Sequence, residues 1–281
     1  MKKILITGAN SYIGMSFEKY IKDNYPNDFT VDTVDMIDGS WREKDFSGYD
    51  TVFHVAGIAH QKETKENAQL YYKINRDLTI ETAQKAKNDG VKQFVFLSSM
   101  SVYGMDTGVI TKETVPAPKS NYGKSKLMAE DCIKELASDD FKICTLRPPM
   151  VYGKDCKGNF QTVVKIVKMS PVFPKINNER SMIYIDNLSS FVKLCIDNEL
   201  NGLYFPQNKD YVKTVDIAKN IASQLGKKRY FSALLGCGVY VIRPFISVAK
   251  KGFGTLIYRD TEEFDFSYCV VDGEESIKRS I

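Results

Sequence analysis

Through its first 149 residues the sequence keeps switching its hydrophobic period. Short runs rich in β-branched and aromatic residues, "KILIT" (3–7), "FTVDTVD" (29–35), "DTVFHVAG" (50–57), "QFVFLSS" (93–99) and "FKICTLRPP" (141–149), are separated by stretches of helical spacing. Those stretches run from Tyr12 to about Lys22, from about Lys65 to Asn88, and from about Asn121 to Leu136. Strands joined through helices of this length return to their sheet as parallel neighbours. The alternation therefore predicts an α/β fold with a doubly wound parallel sheet and right-handed crossovers. After Gly153 the rhythm loosens. "GNFQTVVKIVK" (158–168) reads as a helix, "SMIYIDNLSSFVKLCIDN" (181–198) as a strand and a helix, and "VDIAKNIASQLG" (215–226) as a helix ended by Gly226. The expected division is a sheet domain over 1–153, with 181–200 returning to it, and a smaller C-terminal lobe from 154–180 and 201–281.

Composition removes several classes. Hydrophobic residues at 43% and charged residues at 26% are those of a globular protein with a sizeable core. A net charge of +4, with lysines spread along the chain rather than interleaved with aromatics, gives no nucleic-acid footprint. The six cysteines never form C-x-x-C, and only His54 and His60 offer imidazoles. Buried reduced thiols in a cytoplasmic protein, and no metal, are expected. The N-terminus enters a strand after two lysines, with no signal segment. The longest apolar run, "FSALLGCGVYVI" (231–242), is cut by Arg243-Pro244 and falls short of the ~20 residues of a membrane span. It reads as a core helix, or a helix and turn, and no membrane partner is expected.

The first strand ends in "TGANSYIG" (7–14) and opens a helix. A glycine turn there places backbone N–H groups and the positive helix end at a pyrophosphate. Gly8 would make the turn and Gly14 the close contact of helix with strand. Ser11 stands where the Rossmann fingerprint has its middle glycine, small enough to fit and able to donate to phosphate. Asp35 closes the second strand about 20 residues further on, where a carboxylate accepts from ribose hydroxyls and repels a 2′-phosphate, so NAD is favoured over NADP. Asp32 is its nearby competitor.

In "NYGKSKLMAED" (121–131), Tyr122 and Lys126 lie four apart on one helix face. An ammonium beside a phenol lowers the phenol's pKa, and together they can move a proton on and off a substrate hydroxyl. Ser98 and Ser99 end a buried strand at the carboxyl edge of the sheet, where ligands bind in this architecture. Ser99 would hold the reacting oxygen, and Ser98 would touch cofactor.

The set "TGANSYIG", "VFHVAG", "LSSMSVYG", "YGKSK" and "LRPPMVYG", in this order, resembles the extended short-chain dehydrogenase/reductase family, the NAD-dependent epimerases and dehydratases of nucleotide sugars, over residues 1 to about 200. The resemblance implies a Rossmann domain, a C-terminal lobe holding a nucleotide diphosphate, and Ser99, Tyr122 and Lys126 as catalytic residues. It also implies cofactor contacts at Thr7, Gly8, Ser11, Tyr12, Ile13, Asp45, Phe46, Ala56, Gly57 and Asn75. Asn159 and Arg180 match residues near the family's diphosphate. The family's 4,6-dehydratases carry Asp-Glu directly after the catalytic Ser/Thr, and Met100-Ser101 stands here, which disfavours dehydration. Met150 replaces an asparagine at the diphosphate, and Ser267 replaces an arginine, leaving Arg180 and Arg259 as the available cations. Three readings follow. The first is a nucleotide-sugar C4 epimerase working through a 4-keto intermediate on a UDP-linked sugar of the kind used in polysaccharide synthesis. The second is a reductase of a nucleotide-linked 4-keto sugar using NAD(P)H, and the third a non-catalytic dinucleotide-binding sensor. A homodimer is compatible with each.

Overall fold

The computed structural model describes all residues except 60, 62, 243–246 and 262–263, with the backbone alone at 242 and 247–249. His60 thus lies outside the described residues. In chain order the elements begin with β1 (Lys2–Thr7), α1 (Tyr12–Asn24), β2 (Phe29–Val34), β3 (Thr51–His54), α2 (Ala68–Tyr72), a π-helical turn (Lys73–Asp77), α3 (Leu78–Asn88) and β4 (Gln93–Leu97). There follow a 3₁₀ turn (Met100–Tyr103), β5 (Gly108–Ile110), α4 (Asn121–Lys134), β6 (Lys142–Leu146), β7 (Met150–Tyr152), α5 (Asn159–Met169), β8 (Val172–Pro174), β9 (Met182–Tyr184), α6 (Ile185–Asp197) and β10 (Gly202–Tyr204). The chain ends with α7 (Thr214–Gln224), β11 (Tyr230–Ser232), α8 (Ala233–Ile242), α9 (Ser247–Phe253), β12 (Leu256–Tyr258) and α10 (Gly273–Arg279).

Two compact units emerge. The first contains Met1–Gly104, Val115–Pro148 and Leu188–Pro206, and the second Met105–Thr114, Pro149–Asn187 and Gln207–Ile281. The first unit is built on a six-stranded sheet of order β10-β6-β4-β3-β1-β2, with every pair parallel. Strands β3 and β4 are buried at every residue, which explains why they read as unbroken apolar runs rather than as alternation. Leu5, Val52, Phe94, Phe96 and Ile143 pack with Ala83 and Ala86 of α3 and Ala129 and Ile133 of α4 in one core cluster. Small residues on those helices let them lie close against the sheet.

The second unit holds three two-stranded parallel pairs, β11 with β8, β12 with β5, and β7 with β9. All six of these strands, and β10 as well, are three residues long. Runs that short carry no periodicity of their own, so the sequence does not announce them. The helical stretch expected from Lys65 begins at Ala68 and is split by the π-helical turn.

Two expectations are corrected. Cys144, Cys156 and Cys195 are buried, but Cys132 and Cys237 are exposed. The apolar run at 231–242 forms β11 and α8, and it is not a core helix. Within α8, among the described residues 233–241, only Gly236 is buried. A Cβ at Gly236 would lie 2.2 Å from the Lys175 carbonyl oxygen, so the helix rests on the chain just after β8 through that one glycine. Its leucines point elsewhere, with Leu234 83% exposed.

Candidate active site

In the first unit β1 lies between β2 and β3, so successive crossovers leave in opposite directions and open a crevice at the carboxyl ends of β1 and β3. Gly8 lies there with φ +108°, a conformation that favours glycine, and a Cβ on it would come within 2.8 Å of the Ala56 nitrogen. Gly8 and Ala9 N–H both donate to the Val34 carbonyl, at 3.0 and 3.1 Å. Ser11 caps α1, its Oγ accepting from Gly14 N–H at 3.2 Å, and Tyr12 and Ile13 open the helix. First-turn N–H groups point out of a helix end at the positive pole of its dipole. This turn fits a pyrophosphate, and Gly8 lets it pass close against Ala56, where a side chain would collide.

The two candidate acids behave differently. Asp35 stands just past the end of β2 and accepts from Ile37 N–H at 2.8 Å, whereas exposed Asp32 is engaged by the Tyr49 hydroxyl at 2.8 Å. Asp45 turns onto Ser47, whose N–H and hydroxyl bonds hold its carboxyl below the usual range. Phe46 is fully buried, and its N–H donates to Asp89 at 3.0 Å. Both therefore have partners within the protein. Thr7 is fully buried too. Its Oγ1 meets His54 Nδ1 at 2.7 Å, His54 Nε2 meets Thr79 Oγ1 at 3.0 Å, and Thr79 donates to the Asn75 carbonyl. Burial first, and Lys126 second, push His54 down to about 3, so the imidazole is neutral.

Asn75 sits in the π-helical turn, a local widening found at functional sites. Its side chain accepts from Ile58 N–H at 2.8 Å and donates to Ser125 Oγ at 3.2 Å. A Cβ on Gly57 would meet Asn75 Oδ1 at 2.9 Å and Lys126 Nζ at 3.4 Å. Ala56, Gly57, Asn75 and Lys126 are thus brought together. The Lys126 ammonium donates to the Leu97 carbonyl at 2.8 Å and lies over the Phe96 ring at 4.6 Å. Burial pulls it down to about 8, with the Glu130 carboxylate acting the other way.

Tyr122 lies in the first turn of α4, half-buried, while the Ser99 hydroxyl donates to Ser101 Oγ at 3.1 Å. Burial raises the phenol's pKa, the nearby Ser99 hydroxyl opposes the rise, and Tyr71 adds to it. Ser99 also caps the 3₁₀ turn, accepting from Ser101 N–H at 3.1 Å. Within that turn Met100 is buried and no carboxylate follows Ser99.

Several residues here escaped the sequence reading. The Glu63 carboxylate accepts from Asn121 N–H at 2.9 Å and Tyr122 N–H at 3.1 Å, so a loop residue caps the helix that carries the tyrosine. One turn beyond Lys126, buried Glu130 pairs with buried Arg147, whose Nε lies 3.0 Å from Oε2. Arg147 Nη1 reaches the Tyr103 hydroxyl at 2.8 Å, and Ser98 gives its hydroxyl proton to Glu130. Ser98 is therefore turned inward. The i,i+4 spacing of Lys126 and Glu130 was the only local signal of this network.

In the second unit Asn159 is exposed at the start of α5. Arg180 is half-buried, donating through Nη1 to the Gly254 carbonyl at 2.9 Å. Its Nε has no partner among the described residues, and burial lowers its pKa against the pull of Asp106. Arg259 is exposed at the end of β12, its N–H bonded to Ile110.

The sequence model of the "NAD dependent epimerase/dehydratase family" matches residues 4–203. A UDP-glucose 4-epimerase of Vibrio cholerae is 30% identical over 251 residues, which are 80% of this chain and 76% of that relative. An N-acetyl-alpha-D-glucosaminyl-diphospho-ditrans,octacis-undecaprenol 4-epimerase of Escherichia coli O157:H7 is 24% identical over 80% of this chain and 73% of that relative. Among solved structures, a UDP-glucuronic acid 4-epimerase from Bacillus cereus in complex with NAD superposes with a TM-score of 0.72 at 19% identity, covering 99% of this chain and 97% of that one. A dTDP-4-dehydrorhamnose reductase from Clostridium acetobutylicum gives 0.73 at 22% identity, covering 98% and 97%. These two likenesses bear on the fold alone. The extent of the family match, and the Vibrio relative with it, make this chain a member of the NAD-dependent epimerase/dehydratase family.

Proposed function

We propose that the protein is a nucleotide-sugar C4 epimerase in which Tyr122 moves the proton. The observation that carries the reading is the placing of Tyr122 and Lys126 four residues apart on α4, with the Lys126 ammonium bonded at 2.8 Å to the Leu97 carbonyl at the carboxyl end of β4, where Ser98 and Ser99 follow. Ser99 and Tyr122 hold the C4 oxygen. Tyr122 takes the hydroxyl proton as C4 becomes a carbonyl and gives it back after the sugar has turned over. Bound NAD supplies the acceptor and donor of hydride at C4. Gly8, Ser11, Tyr12, Ile13, Gly14, Ala56, Gly57, Asn75 and Lys126 would hold it, with Asp35 on the adenosine ribose. Thr7 and Ser98 shape the site from beneath. The first unit is then the dinucleotide-binding domain, and the second takes the nucleotide diphosphate, with Asn159, Arg180 and Arg259 as its proposed contacts. The Vibrio relative's name makes UDP-glucose and UDP-galactose the first pair to test. No helix among the described residues is long and apolar enough to cross a membrane, and none of the cysteines is paired. Those free thiols support a cytoplasmic location. Half-exposed Leu70 and Met128, on neighbouring α2 and α4, give a homodimer apolar surface to cover.

A raised phenol pKa favours a second reading. Tyr122 is held as a neutral acid, the form that donates a proton to a carbonyl being reduced, as in a 4-keto sugar reductase. One experiment separates the two. The purified protein is denatured to identify released nucleotide, and the native protein is incubated with UDP-glucose while the C4 configuration is followed by NMR. Interconversion without net cofactor consumption is the expected result. Absence of interconversion, with stoichiometric oxidation of NADH on a 4-keto nucleotide sugar, overturns the epimerase in favour of the reductase.

A further inference from the structure

Helix α8 has no charged residue from Ala233 to Ile242, and among its described side chains (233–241) Gly236 alone is buried. Leu234 is 83% exposed and Val241 71%, with Leu235 and Tyr240 about half exposed. On a helix, positions 234, 238 and 241 lie roughly opposite 236, so the docked glycine turns the leucine and valine outward. Other apolar side chains of the second unit are exposed as well. Tyr230 in β11 is bonded through its N–H to the Pro171 carbonyl, and it and Met169 at the end of α5 are both largely exposed.

The charge around this surface has one sign. No Asp or Glu occurs between residues 217 and 259 or between 156 and 178, the segments that build α5, β8, β11, α8 and α9. Exposed Lys227 and Lys228 precede β11, Lys165 and Lys168 lie on α5, and Lys250 and Lys251 stand in the last turn of α9. Two of these cations also hold the end of α5, Arg229 through the carbonyls of Val167 and Lys168 and Lys227 through that of Lys168 at 3.2 Å.

We propose that the outer face of α8, with the lysines around it, is a docking surface for an anionic phospholipid bilayer. A ten-residue helix is about 15 Å long, half the hydrocarbon thickness, so it would lie in the interface rather than cross it. Leu234, Leu235 and Val241 enter the acyl boundary, and Tyr230 and Tyr240 take the headgroup level that aromatic residues with a polar end prefer. The lysines meet lipid phosphates. A second copy of the chain is the poorer occupant, because a two-fold contact sets the same lysines of both copies against each other.

The test uses the full chain and vesicle flotation. Vesicles of phosphatidylcholine with a third phosphatidylglycerol should carry the protein, phosphatidylcholine vesicles should not, and high salt should release it. Replacing Lys227, Lys228, Lys250 and Lys251 together by Gln should weaken binding by on the order of 10²-fold or more. The pair Leu234→Asp and Leu235→Asp should weaken it at least tenfold, with the melting temperature and NAD binding of both variants unchanged. No flotation of the natural protein, or equal flotation of the lysine variant, overturns the proposal. So does self-association that the leucine pair dissolves while vesicle binding is absent.

Discussion

Helices α1 and α8 make the same kind of approach and end in opposite circumstances. Each comes close to backbone or strand through a glycine, Gly14 against Ile6 and Val55 in the first unit and Gly236 against Lys175 in the second. Around Gly14, α1 also buries Phe17, Tyr20 and Ile21, so its apolar face is spent on the sheet and its N-terminus is fixed beside Gly8. Around Gly236 nothing else of α8 among the described residues 233–241 is buried. A glycine contact thus sets how closely a helix can lie, and its neighbours decide whether that closeness makes a rigid site or leaves an apolar surface to be covered by something else.

The largest effect should come from the fixed side of this comparison. Tyr122→Phe keeps the ring and removes the oxygen that carries the proton, so kcat should fall by about 10²- to 10⁴-fold, with KM and melting temperature little changed. Steady-state assay on the active nucleotide sugar measures it. Near-natural kcat would take Tyr122 out of the chemistry.

The contact itself can be broken next. Gly236→Ala sets a methyl 2.2 Å from a carbonyl oxygen and should cost about 1–3 kcal/mol in urea unfolding of the second unit. A neutral result would mean that α8 does not rest on this point.

Acid should weaken the first unit through His54, the buried link between Thr7 and Thr79. Its pKa is lowered on folding from 6.5 to about 3, so the unfolded chain binds the proton first. Its contribution to stability is complete above pH 6.5 and is lost as pH falls through that value toward 3, at up to about 1.4 kcal/mol per pH unit. His54→Asn should remove that part of the slope in urea midpoints taken at pH 7 and pH 5. Identical slopes would refute the assignment.

The smallest effect lies two residues from Gly236. A Cβ added at Gly238 would meet nothing within 4 Å among the described residues beyond its own helix, and Gly238→Ala should stabilise α8 by up to about 1 kcal/mol through helix propensity alone. A loss there comparable to that at Gly236 would show that both faces of α8 are packed.

Much of the first unit was legible because its signals are local. Strand, glycine turn and capped helix follow each other within residues 3–24, and Tyr122 and Lys126 share one helix face. The parts that were not legible depend on contacts between distant segments. Glu63 caps α4 from 58 residues away, and Arg147 finds Glu130 only once β6 lies beside β4. The resemblance places Asp45 and Phe46 among the cofactor contacts, and only the fold brings Asp89 to the Phe46 N–H, while Ser47 holds the Asp45 carboxylate. For α8 the failure is of another kind. Hydrophobicity states that a segment wants to leave water, and cannot say whether it leaves into its own core.

The helix bearing Tyr122 is held at three depths: Glu63 on its first N–H groups, Lys126 on Leu97, and Glu130 on Arg147. A one-residue slip of an α-helix translates it by about 1.5 Å and swings every side chain by roughly 100°. Such a slip would have to open all three holds together, and unpairing the buried ion pair alone costs about 3–5 kcal/mol. The helix therefore works as an indexed spindle: thermal motion can bend the Tyr122 side chain about its own bonds but cannot walk it to the next position, and the aim of the phenol is kept by gearing that lies about two turns away.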